Sequence, residues 1–229
     1  MSARVENSEG EHDAVIPSTE KRCPNCGYQG PFKTHKRTGR PNATCPKCGF
    51  KERHRLLTLL YNSQDFFSDK KVLHIGPEFE FAHYFKNSKQ YVTADLDQAG
   101  VDLNFDLTKA PLESGSFDVI VINHVLEHIP QDQKALEEMF RILSPGGLAI
   151  ITVPVEKSYE ITFEDPKINT PELREIYYGR HDHVRFYGRD IVEKVSNAGF
   201  RVDVFQVDPI LEVSYGLHRG ATAYLAHKQ

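Results

Sequence analysis

Four cysteines carry the first chemistry in this sequence. Cys23 and Cys26 lie in C-P-N-C, Cys45 and Cys48 in C-P-K-C, and 18 residues separate the pairs. A tetrahedral zinc site needs four soft ligands at about 2.3 Å, and each short Cys-x2-Cys turn presents two thiolates to one side of an ion. Both turns continue into glycine, Gly27 and Gly49, which suits the left-handed backbone of a metal knuckle. Four ligands complete the coordination sphere, so the expectation is a structural Zn2+ in a small four-cysteine ribbon. The competing reading, a pair of buried free-thiol turns, leaves the repeated C-P-x-C-G unexplained.

A second set is spread along residues 72–130. Gly76 closes the apolar run V-L-H-I-G. Asp95 stands 19 residues later, at the end of Y-V-T-A-D. Asp106 precedes the run F-D-V-I-V-I-N, which leads into H-V-L-E-H-I-P. An acid about 20 residues beyond a glycine turn can accept both hydroxyls of a ribose, and an acid in the next loop can meet the amino group of an adenine. His124, Glu127 and His128 in H-V-L-E-H, with His181 and His183 in G-R-H-D-H-V-R, are candidate bases for an acceptor that must lose a proton. His183 is the first choice. Read as one helix, His124 and His128 would share a face. That spacing also resembles a metal-binding pair.

These residues need elements to hold them. Strands are expected over K-K-V-L-H-I-G, Y-V-T-A-D-L-D, F-D-V-I-V-I-N-H-V-L and L-A-I-I-T-V-P. Between the last two, Leu136, Met139, Phe140 and Leu143 follow helical spacing up to a stop at Pro145-Gly146-Gly147. A short crossover helix is expected between Phe79 and Lys89, and a helix ending at Gly199. Two closing strands, R-V-D-V-F-Q-V and A-T-A-Y-L-A-H-K, suggest an antiparallel finish. Strands alternating with helices imply an α/β fold with a parallel sheet covered on both faces. Ligands of such sheets bind beyond the carboxyl ends of the strands, where the strand order reverses.

The chain of 229 residues is long enough for one full-sized core and a small appendage. The expected division is a disordered tail over 1–20, a zinc ribbon over 21–55 and a catalytic domain over 56–229. Residues 155–190 would be an inserted acceptor lid. No apolar run approaches the roughly 20 residues needed to span a bilayer, and the polar start lacks the apolar core of a signal peptide. The expectation is a cytoplasmic protein without a membrane partner, its oligomeric state left open. The net charge of −4 argues against a nucleic-acid binder held by charge over its whole surface. Residues 21–55 nevertheless hold ten Lys or Arg against one acid, Glu52. RNA therefore stays open as a partner through residues 33–40, beside the reading of that basic stretch as a solvated hairpin tip.

From Lys71 onward the chain resembles the class I S-adenosylmethionine-dependent methyltransferases. The motifs that carry the likeness are V-L-H-I-G-P-E, V-T-A-D-L-D, the stretch from D-L-T-K-A-P-L-E-S-G-S-F-D to H-V-L-E-H-I-P, and R-I-L-S-P-G-G-L-A-I-I-T-V-P. The cysteine ribbon, E-R-H-R-L-L, T-F-E-D-P and D-H-V-R-F-Y-G-R-D also resemble a bacterial subgroup with an N-terminal zinc ribbon. The resemblance implies a Rossmann-like seven-stranded fold with S-adenosyl-L-methionine as cofactor. Asp95 would then hold the ribose hydroxyls, Leu96 would pack on the adenine, and Asp106 with Leu107 would hold the adenine edge. Asn123 and His124 would line the methionine side. Where the family carries Asp-x-Gly-x-Gly-x-Gly, this chain has His74-Ile-Gly76-Pro-Glu78-Phe-Glu80. Glu78 is expected to restore charge lost at His74. The acceptor is expected to be a small molecule, a sugar or other metabolite hydroxyl or amine. Glu164, Asp165, Tyr177, Tyr178 and Arg180 of the lid are candidate contacts to it. The alternatives are an RNA methyltransferase that uses its basic ribbon, and a binding protein that keeps the fold without the chemistry.

Overall fold

The computed structural model describes residues 20–229; the tail expected over 1–20 lies, but for Glu20, outside them. The described chain forms two compact units. The smaller contains the residues up to Arg55 together with Asp208–Arg219, the larger Leu56–Val207 and Gly220–Gln229.

In the smaller unit, β1 (Lys21–Arg22) pairs antiparallel with β2 (Gln29–Gly30). The two cysteine turns are built alike: Gly27 N donates to Cys23 O and Gly49 N to Cys45 O, both at 3.0 Å. Both glycines have positive φ, 71° and 79°. Helix α1 (Glu52–Ser63) begins in this unit. Its Arg55 is fully buried and donates to the carbonyls of Ala43, Phe50, Asn42, Tyr215 and Gly216. The guanidinium also lies 4.4 Å from the centre of the Phe32 ring. One buried cation thus satisfies several main-chain acceptors of this small unit at once.

The larger unit is a seven-stranded sheet. Its strands are β3 (Lys71–Ile75), β4 (Gln90–Asp95), β5 (Leu103–Asn104), β6 (Phe117–Asn123), β7 (Leu143–Thr152), β8 (Arg201–Gln206) and β9 (Thr222–His227). They lie in the order β5-β4-β3-β6-β7-β9-β8. The first five are parallel; β9 runs antiparallel to both β7 and β8. The order reverses between β3 and β6, so the carboxyl ends of β3, β4 and β6 open onto one crevice. This is the expected α/β, Rossmann-like arrangement. Helix α2 (Asp132–Ile142) buries Leu136 and Met139 as the spacing predicts, with Ala135 and Ile142 beside them. Leu143, Pro145 and Gly146 do not form a loop: the helix runs directly into β7, with Gly146 turning at φ 75°. The first crossover is a 3-10 helix, Phe79–Phe85. Helix α3 (Pro171–Tyr178) has Thr170 as its cap and Gly179 at its end, and α4 is Ile191–Asn197. Helix α5 (Pro209–Tyr215) belongs to the smaller unit and is an addition to the elements expected from sequence. Its signals are ordinary ones: Asp208 caps Ile210 N at 2.8 Å, Pro209 sits at the first turn and Gly216 terminates it. No described helix is long and apolar enough to cross a membrane.

Candidate active site

The crevice is assembled from three strand ends. Gly76 follows β3 with φ 60°, and a Cβ placed on it would stand 2.5 Å from Val125 Cγ2 and 3.8 Å from Asp95 Oδ2. The loop after β3, the end of β4 and the loop after β6 therefore meet at this glycine. Val125 is a residue the sequence reading missed; only the packing reveals it. Asp95 spends one oxygen on its own turn, Oδ1 accepting from Asp97 N at 3.1 Å and Gln98 N at 3.0 Å. These bonds fix the carboxylate and aim Oδ2 toward Gly76. Leu96 beside it is 66% exposed, an apolar side chain held at the mouth. Asp106 accepts from Thr108 Oγ1 and N, which hold its carboxyl below the usual range. Leu107 points into the core, so only its main chain can serve a ligand. Asn123 ends β6, buried, its carbonyl accepting from Thr152 Oγ1 at 3.1 Å.

His74 needs correction. Its side chain does not enter the crevice. It is completely buried, packed against the Phe85 and Tyr91 rings, with Nδ1 3.0 Å from the Tyr91 hydroxyl. Burial lowers its pKa to about 4, while Glu78 pulls weakly the other way. At neutral pH His74 carries no charge, and Glu78 is half-buried after the turn.

The segment after β6 also departs from expectation. His124 and His128 are not on one helix: His124 adopts φ 54°, and a single 3-10 turn, Leu126–His128, follows. The left-handed kink folds His124 back on Glu127, Nδ1 to Oε1 at 3.2 Å. Glu127 is 1% exposed, and its Oε2 has no hydrogen-bond partner. His128 Nδ1 lies 3.1 Å from the Asp182 carbonyl oxygen. His183 is 8% exposed, its Nδ1 is unpartnered, and its ring meets that of His128 edge-on at 4.8 Å. Burial holds His183 below the ordinary imidazole value. Burial pushes the Asp182 carboxyl up, but Arg180 and His128 outweigh it and leave it at about 2. His181 stays exposed.

Segment 155–190 is tied down from within. Arg185, 1% exposed, donates to the Leu126, Ile129 and Pro130 carbonyls and to Glu164. Arg180 pairs with Asp182 through two bonds of 2.9 Å. Of the five residues expected to contact the acceptor, Tyr178 is buried, its hydroxyl accepting from Asp165 N at 2.9 Å, and is a packing residue. Glu164 and Arg180 are engaged in these ion pairs, and Asp165 accepts from Lys167 N. Tyr177, 52% exposed, is unencumbered by burial.

In the ribbon the thiols cluster across the two turns, Cys23 to Cys48 at 3.5 Å and Cys26 to Cys45 at 3.6 Å. These separations are too long for a disulfide. They approach the ~3.8 Å edge of a tetrahedron with 2.3 Å metal–sulfur bonds. The donor set therefore fits zinc.

Residues 65–151 match a family model described as a methyltransferase domain. A probable S-adenosylmethionine-dependent methyltransferase of Mycolicibacterium smegmatis is 30% identical over 101 residues, 43% of this chain and 34% of that protein. An uncharacterized protein of a Streptomyces fradiae transposon is 32% identical over 123 residues, 53% of this chain and 34% of its own. The chain thus spans about a third of the curated relatives it matches. The crystal structure of the YcgJ protein of Bacillus subtilis has the same fold, at a TM-score of 0.54 and 16% identity, over 77% of this chain and 99% of that one. The switch-point crevice and the seven-stranded order give this chain the fold of the class I S-adenosylmethionine-dependent methyltransferases, and its residues 65–151 are similar to a methyltransferase domain.

Proposed function

We propose that the protein transfers a methyl group from S-adenosylmethionine to a hydroxyl or amine of a small molecule. The observation that carries this is the free Asp95 oxygen held against Gly76 at the junction of three strand ends. A fixed carboxylate acceptor there suits two ribose hydroxyls. Asp106 would face the adenine edge, Leu96 its ring, and Asn123 with Glu78 the amino-acid end.

When bound, the cofactor would supply a methyl group activated by a positively charged sulfur. The chain's own part is alignment, worth up to ~7–11 kcal/mol in well-oriented reactions, and proton removal where the acceptor is a hydroxyl. Glu127 fixes the proton of His124 on Nδ1, leaving Nε2 as the base that takes the acceptor's proton. His183, the first choice from sequence, is closed in by burial, which favours His124 in that role. Residues 155–190 would cover the acceptor, with Tyr177 as the contact. The ribbon's four cysteines would hold a structural zinc.

Calorimetry with S-adenosylhomocysteine tests the reading. The wild type should bind at micromolar concentrations and Asp95→Ala should lose at least ~10-fold, the loss of one charge-assisted hydrogen bond, with an unchanged circular dichroism spectrum. No binding by folded, zinc-loaded wild type at millimolar ligand would overturn it.

A further inference from the structure

Glu127 and His183 are the least expected residues of the crevice. Each is more than nine-tenths buried, and each ends in a polar atom that nothing in the fold satisfies: Glu127 Oε2 and His183 Nδ1. Leaving a buried acceptor or donor unpaired costs roughly 1–3 kcal/mol, and more for a charged group. Two such atoms are a standing cost unless something satisfies them. His128 completes the set. The ligating atoms of Glu127, His128 and His183 all lie within 4.8 Å of one another. With Nδ1 of His128 directed to the Asp182 carbonyl, its Nε2 is left for a ligand.

We infer that Glu127, His128 and His183 bind a divalent first-row transition cation beside the acceptor position, a site separate from the cysteine ribbon. The donor chemistry selects the ion: two imidazoles and one carboxylate suit zinc, iron, cobalt or manganese, and not the all-oxygen shells of calcium. A shift of about 1 Å by side-chain rotation brings the three atoms to the ~3.3 Å separations of ligands at ~2.0 Å from a metal. The outer partners of such a site are already in place. The Asp182 carbonyl orients His128, Arg180 holds Asp182, and His124 takes the second oxygen of Glu127. Imidazole ligands are fixed by partners of this kind. Three protein ligands leave coordination positions open. Resting on the proposed methyl transfer, one open position would take the acceptor oxygen or nitrogen, lowering its pKa and orienting its lone pair. The proton it sheds passes to His124 Nε2.

The test uses the full chain with the ribbon loaded with zinc. Cobalt(II) is titrated and followed by visible absorption, with S-adenosylhomocysteine binding measured in parallel. The wild type should take up one cobalt per chain with d–d bands and no thiolate-to-cobalt charge-transfer band. Glu127→Gln and His183→Asn should each weaken that uptake beyond the ~10–100-fold that loss of an outer partner costs. The ribbon zinc should stay at one per chain. His128→Asn provides a further variant should either of the others fail to fold. Wild-type protein that takes up cobalt only through thiolates, or not at all, overturns the inference, as does uptake unchanged in the folded variants. Intact cofactor binding without the second metal sinks this site alone, whereas absent cofactor binding sinks the methyl-transfer reading.

Discussion

His74 stands where the family carries an acid, and its burial makes a quantitative prediction. The group is ordinarily half-protonated at 6.5 and is held at about 4 in the fold. The unfolded chain therefore binds a proton that the folded chain refuses. Its contribution to stability is fully present above pH 6.5 and is lost as pH falls through 4. A difference of 2.5 pH units corresponds to about 3 kcal/mol in all, of which about 2 kcal/mol is gone by pH 5. Urea unfolding of the wild type and of His74→Leu, at intervals from about pH 7.5 to about pH 5, isolates this effect. Leucine fills a similar volume between Phe85 and Tyr91 and cannot titrate. Groups that do not interact with His74 contribute equally to both proteins and cancel in the difference. The wild type should lose about 2 kcal/mol more than the variant over that range. Parallel curves would refute the argument: His74 would then accept a proton in the fold at no cost, and it would be no neutral substitute for an acid.

Three other perturbations follow from the packing. Gly76→Ala must adopt a left-handed backbone, costing about 1–2 kcal/mol, and its Cβ meets Val125 at 2.5 Å. Thermal unfolding should show the loss, and a second change, Val125→Ala, should recover the part due to overlap. Cys45→Ser removes one of four clustered thiols, so a chromogenic chelator should detect zinc released from the protein. Protection of β3 and β6 amides from exchange should change much less. Arg55→Met removes the donor to the carbonyls of Ala43, Asn42, Tyr215 and Gly216, with Phe50 O keeping its bond from Cys45 N, and should cost at least ~3 kcal/mol within the smaller unit. Hydrogen exchange should rise over 42–50 and 208–219.

What could be read from the chain alone was local and periodic. Four of the five parallel strands announce themselves as apolar runs because both faces of such a sheet are covered, whereas β5, two exposed residues at the sheet edge, gives no such run. Leu136 and Met139 place α2 by spacing, and the duplicated C-P-x-C-G places both ribbon turns. The failures share a cause, which is dependence on a neighbour distant in sequence. His74 reads as a cofactor-site residue near the end of its strand until strand alternation turns it onto the face occupied by Phe85 and Tyr91. His124 and His128 read as one helix until the kink at His124, whose N–H goes to Thr152 O at 2.8 Å. Tyr178 reads as an exposed aromatic until Asp165 reaches its hydroxyl. Arg185 reads as one charge in a charged segment, and nothing in D-H-V-R forecasts three carbonyls waiting 55 to 59 residues earlier. Helix α5 is different. Its cap, proline and glycine are all legible, but the apolar run beside them reads equally as the approach to a strand.

The glycine-poor turn after β3 follows from its backbone. Gly76 alone takes a positive φ in this loop, and it is also where Val125 approaches. Two residues on, Glu78 is extended, at φ −92° and ψ 94°, a conformation open to any L-residue. From Phe79 the chain winds as a 3-10 helix, whose dihedrals are again ordinary. Positions 78 and 80 therefore have no steric need of glycine, and their identity is free to be set by the ligand. A pyrophosphate would demand bare backbone amides there and would be repelled by two carboxylates. A ligand with a sulfonium and an ammonium group has the opposite preference. Acids at this turn disfavour a dinucleotide and suit a sulfonium compound, so the departure from the glycine-rich pattern bears on which cofactor the turn would take.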